Sequence, residues 1–292
     1  MSDFRAVSLQ AWSSVAGAWN DLAAEVDRQL AVASDWMLAA AQIAPGDRVL
    51  ELAAGPGTLS AIAAHAVGST GHVICSDFSP AMVDVARSRL SAQADAAEIE
   101  VRVLDAEALD LPDGSVDVVL CRCGYMLMTD PAAALRESTR VLVEGGRVAL
   151  AVWGDAASNP WAALPMRSVA RALDAAPPPP GAPGLWALAD EERLGHLLEA
   201  AGLSTIRVER IDATVEYPSI ADWLDRVSRL AGPLRAMLAG ADEATREAIR
   251  RDLQDAAKPY EQEAGTAVLL PQRFVLATGR RTPAVDHHGV GE

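Results

Sequence analysis

The ten residues VLELAAGPGT, positions 49–58, constrain the fold more than any other part of this chain. Val49 to Leu52 is a short, mostly apolar run without helical period, which is typical of a buried parallel strand. Gly55 and Gly57 follow it, and an alanine-rich helical run begins at Leu59. The glycines let the backbone turn sharply and let a ligand approach the main chain closely. The stretch therefore predicts a strand, a tight turn and the N-terminus of a helix, with free N–H groups facing the turn.

The spacing of these glycines separates two classes of cofactor site. A dinucleotide fold uses G-x-G-x-x-G, in which the third glycine allows the helix to pack closely on the strand. Ser60 stands at that third position here, and Pro56 removes one N–H donor from the turn. The pattern is therefore a poor match to a dinucleotide site.

The pattern that remains is acidic-x-small-x-Gly-x-Gly, formed by Glu51, Ala53, Gly55 and Gly57. It resembles the first motif of the class I S-adenosylmethionine-dependent methyltransferases. The resemblance implies that the small residues face the methionine part of this cofactor and that Glu51 reaches its amino group through water.

Two further strand ends carry acidic residues that fit the same family. Asp77 follows the predicted second strand and, in nucleotide-binding α/β sheets, such an acid accepts hydrogen bonds from ribose hydroxyls. The run from Asp77 to Met82 resembles the family's D-x-S-x-x-M, with Ser79 as a helix cap and Met82 near the adenine. Asp105 and Ala106 resemble the third motif, in which the aspartate accepts from the adenine amino group.

The run RVLVEGGRVALAVW, residues 140–153, is very similar to the R-V-L-x-P-G-G-R-L section of ubiquinone/menaquinone-biosynthesis-like methyltransferases. The resemblance covers roughly residues 10–160 closely, with Glu144 and Thr129 standing where the family usually has proline. It implies a doubly wound, Rossmann-like α/β fold: a seven-stranded, mostly parallel sheet with an antiparallel last strand and a helical cap and lid.

We expect this architecture to divide the chain into successive parts. A helical cap over the cofactor precedes the Rossmann-like core, and a second set of helices inserted between the last two strands stands as a lid over the carboxyl ends of the sheet. The predicted bounds are 1–44 for the cap, 45–157 for the core, 158–189 for a Pro-rich insertion, 190–217 and 264–282 for the rest of the core, 218–263 for the lid, and 283–292 for a disordered tail.

Charge and cysteine usage exclude several function classes. The formal net charge of −15, with no basic stripe, argues against a nucleic-acid substrate. The three cysteines fall in or beside predicted core strands, and we find no secretory signal, so we expect a reduced, cytoplasmic chain. Two cysteines two residues apart, without further ligands, predict no metal site. No apolar run approaches the ~20 residues that a membrane-spanning helix needs, so no stable membrane association is expected.

The N-terminal section, Trp12 to Ala44, is predicted to be helical, with one apolar stripe formed by Trp12, Val15, Trp19, Leu22 and Val26. The cofactor site is predicted from the motifs together with this stripe. Trp19 on this stripe either caps the cofactor or simply covers the sheet. Arg122, at the end of the fourth strand, is expected to border the amino-acid end of the cofactor through its backbone carbonyl. The complete predicted set is Trp19, Glu51, Ala53, Gly55, Gly57, Asp77, Phe78, Met82, Asp105, Ala106 and Arg122.

Substrate residues are harder to predict, because methyl transfer requires positioning and exclusion of water rather than a catalytic signature. Tyr125, just past the fourth strand, is the best placed candidate base, and Asp130 is second, although it also fits a helix N-cap. Arg226 and Arg229 suit an acidic substrate, but Asp222 and Asp225 lie within helical reach and are expected to pair with them. Aromatic walls suit a flat, apolar substrate, and the predicted pocket residues are Tyr125, Met126, Trp153, Trp161, Trp186 and Trp223.

The sequence thus predicts an enzyme that transfers a methyl group from S-adenosyl-L-methionine to a small, fairly apolar metabolite in cofactor or secondary-metabolite biosynthesis, acting as a monomer or homodimer and leaving S-adenosyl-L-homocysteine. Two alternatives stay open. One is a dinucleotide-dependent oxidoreductase, and the other is a non-catalytic S-adenosylmethionine-binding regulatory protein.

Overall fold

The computed structural model describes residues 2–91, 97–176, 179, 181–262 and 267–282. Within these ranges seven strands form one sheet. They are β1 (Arg48–Leu52), β2 (His72–Asp77), β3 (Glu98–Val103), β4 (Val116–Arg122), β5 (Leu142–Trp153), β6 (Leu203–Tyr217) and β7 (Val268–Arg281). The predicted tail, 283–292, and three residues of the proline run, 177, 178 and 180, lie outside the described residues.

The spatial order of the strands is β3-β2-β1-β4-β5-β7-β6. Strands β1 to β5 are parallel, and β7 is antiparallel to both of its neighbours, β5 and β6. The predicted doubly wound sheet with an antiparallel last strand is confirmed. The strand order reverses between β1 and β4, and in such sheets ligands bind at the carboxyl ends of the strands near this reversal.

The helices of the described residues flank the sheet or cover its carboxyl edge. They are α1 (Ser2–Asp21), α2 (Ala23–Ala41), α3 (Thr58–Val67), α4 (Pro80–Leu90), α5 (Pro131–Val141), α6 (Pro160–Ala172), α7 (Glu191–Ala200), α8 (Ile220–Leu230), α9 (Gly232–Ala239) and α10 (Glu243–Ala257). None of them combines the length and the apolar character that crossing a membrane requires.

The central strands are covered on both faces, and for this reason their sequences are continuous apolar runs rather than alternating ones. Residues 118–121 of β4 and residues 148–152 of β5 are fully buried. Burial of these side chains contributes to the hydrophobic stabilisation of the sheet, at roughly 25 cal/mol for each Å² of apolar surface removed from water.

Helices α8 to α10, the segment predicted to form a lid and called the lid below, contribute to a second hydrophobic cluster. Trp223 and Val227 on α8 pack with Leu253 on α10 and with Tyr217 and Val268 at the ends of β6 and β7. Trp161 on α6 packs against both this lid cluster and the main core cluster around the sheet. The lid is therefore a packed layer continuous with the sheet and differs from a loose surface loop.

Two boundaries differ from the sequence prediction. Gly145 and Gly146 in the run 140–153 predict a strand that starts after them at Arg147, but β5 begins at Leu142, directly after α5, because Leu142 already pairs with Val116 of β4. The N-terminal segment, predicted helical from Trp12, begins at Ser2 and divides into α1 and α2 at Leu22. The apolar stripe starts at Trp12, so it could not predict that the helix already begins at Ser2.

Candidate functional site

The turn between β1 and α3 adopts the conformation that its small residues predict. Ala53, Gly55 and Gly57 all have positive φ, at 52°, 53° and 81°. Positive φ is unfavourable for alanine, and such strain persists where the surrounding structure enforces it, commonly at functional sites. A Cβ on Gly57 would approach the Leu90 side chain to 2.9 Å, so this glycine also allows the turn to pack closely on α4.

Glu51 is buried beneath this turn. Its carboxylate accepts hydrogen bonds from the Ser60 backbone N–H, at 2.7 Å, and from the Ser60 hydroxyl. Burial raises the pKa of Glu51 to about 7, although the Ser60 hydrogen bonds and the nearby Arg122 guanidinium oppose this rise. Glu51 lines the cavity described below, and in the structure its carboxylate joins β1 to the first turn of α3.

Asp77, at the end of β2, faces the same turn. Its two carboxylate oxygens accept the backbone N–H groups of Gly55, at 3.0 Å, and Ser79, at 2.9 Å. Burial raises the pKa of Asp77, while these two hydrogen bonds to the charged form oppose the rise. Ser79 caps α4 by accepting the Met82 N–H, as the sequence predicts, and it also contacts the Ser13 hydroxyl of α1 at 2.9 Å.

The loop after β3 is tied to the N-terminal helix. Arg5 on α1 binds the carboxylates of both Asp105 and Glu107, the second at 2.9 Å. The Arg5 guanidinium also lies over the Phe78 ring, 5.4 Å from its centroid. The sequence analysis missed Arg5, because no local pattern connects it with residues about one hundred positions away.

Arg122, at the end of β4, is 7% exposed in its side chain and points toward α2. It donates to the Ser34 hydroxyl at 2.8 Å and lies 3.5 Å from the Asp27 carboxylate, which also accepts from the Thr58 hydroxyl. The Arg122 side chain thus holds α2 and the glycine turn together at the cavity.

These groups line one cavity of about 250 Å³ at the carboxyl ends of the strands. The sequence-predicted residues in its lining are Trp19, Glu51, Ala53, Gly55, Asp77, Phe78, Met82, Asp105, Ala106, Arg122, Met126, Trp153 and Trp161. Trp19 lies beside the turn, 3.8 Å from where a Cβ of Gly55 would be, and donates its indole N–H to the Leu230 carbonyl of α8. Lining residues that the prediction of the pocket did not include are more numerous, and among them are Phe4, Arg5, Trp12, Gln29, Met166, Tyr217 and Arg226.

Two predicted catalytic candidates lie outside the lining. Tyr125 is fully buried, and its hydroxyl is 2.6 Å from the Ser138 hydroxyl of α5. Burial raises the pKa of Tyr125, which disfavours the deprotonated form that a general base needs. Asp130 is exposed and caps α5 by accepting the Ala133 N–H at 2.9 Å. The predicted place of Tyr125 in the pocket is corrected: in the 3₁₀ turn of residues 125–127 Met126 lines the cavity, whereas Tyr125 packs beneath it. For Asp130 the structure shows the helix N-cap that the sequence analysis gave as its alternative role.

Three other predicted residues are also outside the lining. Gly57 faces α4 instead of the cavity. Trp186 packs against the main core cluster, and its neighbour Leu185 lines the cavity in its place. Trp223 is fully buried in the lid cluster and donates its indole N–H to the Trp161 carbonyl at 2.7 Å. For the two tryptophans, sequence spacing placed the residue in the correct segment but did not determine which way its side chain points.

Comparison with known proteins identifies what this arrangement is similar to. Residues 49–146 match the family model described as "Methyltransferase domain". Over 112 residues the chain is 41% identical to the ubiquinone/menaquinone biosynthesis C-methyltransferase UbiE of Xanthomonas campestris pv. campestris, a match that covers 38% of this chain and 44% of the relative. The chain thus spans less than half the length of the curated relatives that it matches.

Two solved structures are similar over most of the chain. The YcgJ protein of Bacillus subtilis has a TM-score of 0.57 at 21% identity, covering 86% of this chain and 99% of that one. The phosphoethanolamine N-methyltransferase 2 of Haemonchus contortus, solved with phosphomonomethylethanolamine and S-adenosylhomocysteine, has a TM-score of 0.52 at 17% identity, covering 85% and 53%. At these sequence identities the comparison shows a shared fold and no more.

Proposed function

We propose that this chain, which carries a class I S-adenosylmethionine-dependent methyltransferase domain, transfers a methyl group from S-adenosylmethionine to a small, largely apolar metabolite. The observation that carries the proposal is the shared cavity. The ends of β1, β2 and β3 with their acidic groups and the aromatic residues of β5 and α6 line the same space. A donor held at the strand ends would therefore face an acceptor held by the aromatic wall.

The residues at the strand ends fit the cofactor. Asp77 has an ordered carboxylate, held by two backbone N–H groups, whose remaining lone pairs suit ribose hydroxyls. Asp105 presents a carboxylate at the next strand end, where it would accept from an adenine amino group. Ala53 has only a methyl side chain and Gly55 has none, and both have positive φ. They leave space beside the main chain for the methionine part of the cofactor.

The chemistry requires positioning more than acid–base groups. S-adenosylmethionine supplies an electrophilic methyl group on a sulfonium. The chain's own contribution is to hold an acceptor in line with that methyl group and to keep water away. The Trp153 ring is stacked on Phe274, with 4.3 Å between the ring centroids, and its centroid lies 4.7 Å from that of Trp161. These rings form an apolar wall that can hold an acceptor in place. With Tyr125 turned away, the rate would derive from orientation and from the intrinsic reactivity of the acceptor.

Calorimetric titration with S-adenosylhomocysteine, with NAD run alongside, tests the cofactor. We expect micromolar binding of the first and none of the second. Asp77→Ala should weaken the binding at least tenfold, because about 1.5–3 kcal/mol is typical of hydrogen bonds to a charged group. Asp84→Ala, an exposed change on α4, is the matched control and should bind as the wild type does. NAD binding without S-adenosylhomocysteine binding would replace the proposal by an oxidoreductase.

A panel of apolar metabolites with labelled methyl donor tests turnover. Quinone precursors belong in the panel because the relative from Xanthomonas campestris is named for ubiquinone and menaquinone biosynthesis. Transfer of label to any member supports the enzyme, and the position of the label identifies the acceptor atom. Tight cofactor binding with no transfer across the panel would favour a regulatory protein that binds the cofactor without turnover.

A further inference from the structure

The lid places a cation in the cavity without an anionic partner. Arg226 of α8 is half-buried, lines the cavity and forms no ion pair or hydrogen bond with any other described residue. The other two arginines of the lining are paired, Arg5 with Asp105 and Glu107, and Arg122 with Asp27. Among the lining cations of the described chain, Arg226 alone therefore has its guanidinium available to a ligand.

The aspartates predicted to neutralise Arg226 are used elsewhere. Asp222 is engaged by the Ser219 hydroxyl at the start of α8. Asp225 lies 3.7 Å from Arg229, which also contacts Asp21 of α1. Instead of a carboxylate, Arg226 contacts the ring of Tyr217, with its guanidinium carbon 4.9 Å from the centroid.

Two neutral donors accompany Arg226 in the lining. The Gln29 side chain lies beside the Tyr217 hydroxyl and interacts with it, and its buried nitrogen Nε2 makes no hydrogen bond of good geometry within the described residues. Tyr217 is 1% exposed, and burial raises the pKa of its hydroxyl, which therefore keeps its proton near neutral pH. A buried donor without a partner costs about 1–3 kcal/mol, so an acceptor that a ligand brings to this place would be stabilising.

The walls nearby are apolar. Trp153, Trp161 and Met166 line the cavity together with Val227 and Leu230 of α8. A ligand that fills this space must therefore be mostly apolar while presenting one acceptor group to Arg226. A single guanidinium with two neutral donors suits a planar monoanion, since an arginine fork binds a carboxylate through two parallel hydrogen bonds. A dianionic phosphate would leave charge uncompensated here.

We propose that the methyl acceptor is an apolar molecule bearing a carboxylate, and that Arg226, Gln29 and Tyr217 form the subsite that binds this carboxylate. The inference rests on the proposed function, because it names the substrate class of the same site. Arg226 then selects and orients the acceptor, while the aromatic wall holds the apolar body.

The test compares carboxylates with their neutral amides. Benzoate, 2-naphthoate and decanoate, each with its amide, are titrated into the full chain by calorimetry, with and without S-adenosylhomocysteine. We expect at least one carboxylate to bind about 10- to 100-fold more tightly than its amide, as hydrogen bonds to a charged group predict. Arg226→Met should remove this preference by weakening carboxylate binding far more than amide binding, and Gln29→Leu should reduce it.

Arg229→Met is the matched control, because it removes an arginine from the same helix whose partners are surface aspartates. It should retain the wild-type preference. Arg226→Lys keeps the positive charge but lacks the two parallel N–H donors of the guanidinium, so it should give an intermediate preference for carboxylates. This variant replaces Arg226→Met in the test if Arg226→Met does not fold. Absence of carboxylate binding, equal binding of amides, or a preference that survives Arg226→Met would each overturn the subsite. S-adenosylhomocysteine titration of every variant separates this failure from failure of the methyltransferase proposal.

Discussion

Glu51 is the acidic residue that opens the glycine motif, and its burial couples the site to pH. The pKa of about 7 in the folded chain lies above the ordinary value of 4.5, because burial disfavours the charged form. The folded state therefore binds more protons than the unfolded state between these values. Its stability must fall as the pH rises through this interval and then level off above about 7.

Glu51→Gln isolates this effect, since the amide oxygen can still accept from Ser60 but does not titrate. Relative to the variant, the wild type should lose on the order of 3 kcal/mol in free energy of unfolding between about pH 4.5 and about pH 8. Urea unfolding followed by circular dichroism at a series of pH values measures this difference. Glu98→Gln, an exposed change, should show no such trend. A constant difference between Glu51→Gln and the wild type would contradict the burial argument.

Gly124 illustrates a close approach between the ends of β1 and β4. A Cβ at this position would lie 2.6 Å from the Cβ of Ala53 and 2.6 Å from the sulfur of Cys121. Ala53 is a cavity residue, and its Cβ is fixed to the backbone, so it cannot turn away from the added methyl group.

Gly124→Ala should therefore destabilise the chain by about 1–3 kcal/mol, the usual range for overpacking, and weaken S-adenosylhomocysteine binding by displacing Ala53. Gly17→Ala is the control, because a Cβ there meets no atom within 4 Å. In the interior of α1 it should stabilise by roughly 0.5–1 kcal/mol. Denaturant unfolding and calorimetry measure the two effects, and unchanged binding in Gly124→Ala would show that the turn relaxes without cost to the site.

At the scale of elements, α1 closes one side of the cavity through few polar contacts. Arg5 holds its N-terminal end to the loop after β3, and Trp19 holds its C-terminal half to α8. Asp105, the proposed adenine acceptor, is thus engaged by Arg5 in the structure. A ligand that binds Asp105 would have to share this carboxylate with Arg5 or displace Arg5 from it. The position of α1 is therefore coupled to whether the site is occupied.

Arg5→Met should release the first turns of α1. Partly exposed ion pairs contribute about 0.2–1 kcal/mol each, so hydrogen exchange of residues 2–12 should become up to about tenfold faster. Arg28→Met removes an arginine of α2 whose side chain is 71% exposed and should leave exchange in α1 unchanged. Equal exchange in Arg5→Met and the wild type would show that Trp19 and Trp12 hold α1 without the ion pairs.

At the scale of the whole molecule, the lid and the sheet are joined through Trp161. This residue packs against both hydrophobic clusters, and its ring lies 4.7 Å from that of Trp153. Because the lid cluster has buried residues of its own, we expect it to keep partial structure when this connection is lost.

Trp161→Ala should therefore broaden denaturant unfolding and lower its slope, as the lid and the sheet begin to unfold separately. Trp36→Ala is the control, since Trp36 packs against the main cluster and donates to Glu209 on β6. It should lower the midpoint but keep one sharp transition. A single sharp transition in Trp161→Ala would mean that the other contacts suffice to couple the two clusters.

The sequence by itself determined the parallel strands of the sheet and the small and acidic residues at one end of the cavity, whereas the antiparallel last strand was expected from the family resemblance. The parallel strands and these cavity residues depend on patterns that act within a few residues: apolar runs that must be buried, small residues at a sharp turn, and acids at the ends of parallel strands that necessarily meet at one edge. Ala53, Gly55, Asp77 and Asp105 all line the cavity for this reason.

Only the tertiary structure decided which side chains of loops and lid face the ligand. Tyr125 and Trp223 lie in the predicted segments but point into packed cores, because the direction of a side chain in a short turn or on an inserted helix is set by what it packs against. The contacts of Arg5 with Asp105 and of Arg226 with Tyr217 likewise depend on how separate elements dock. Local sequence does not predict how these elements dock, because the energy of docking comes from surfaces that meet only in the folded chain.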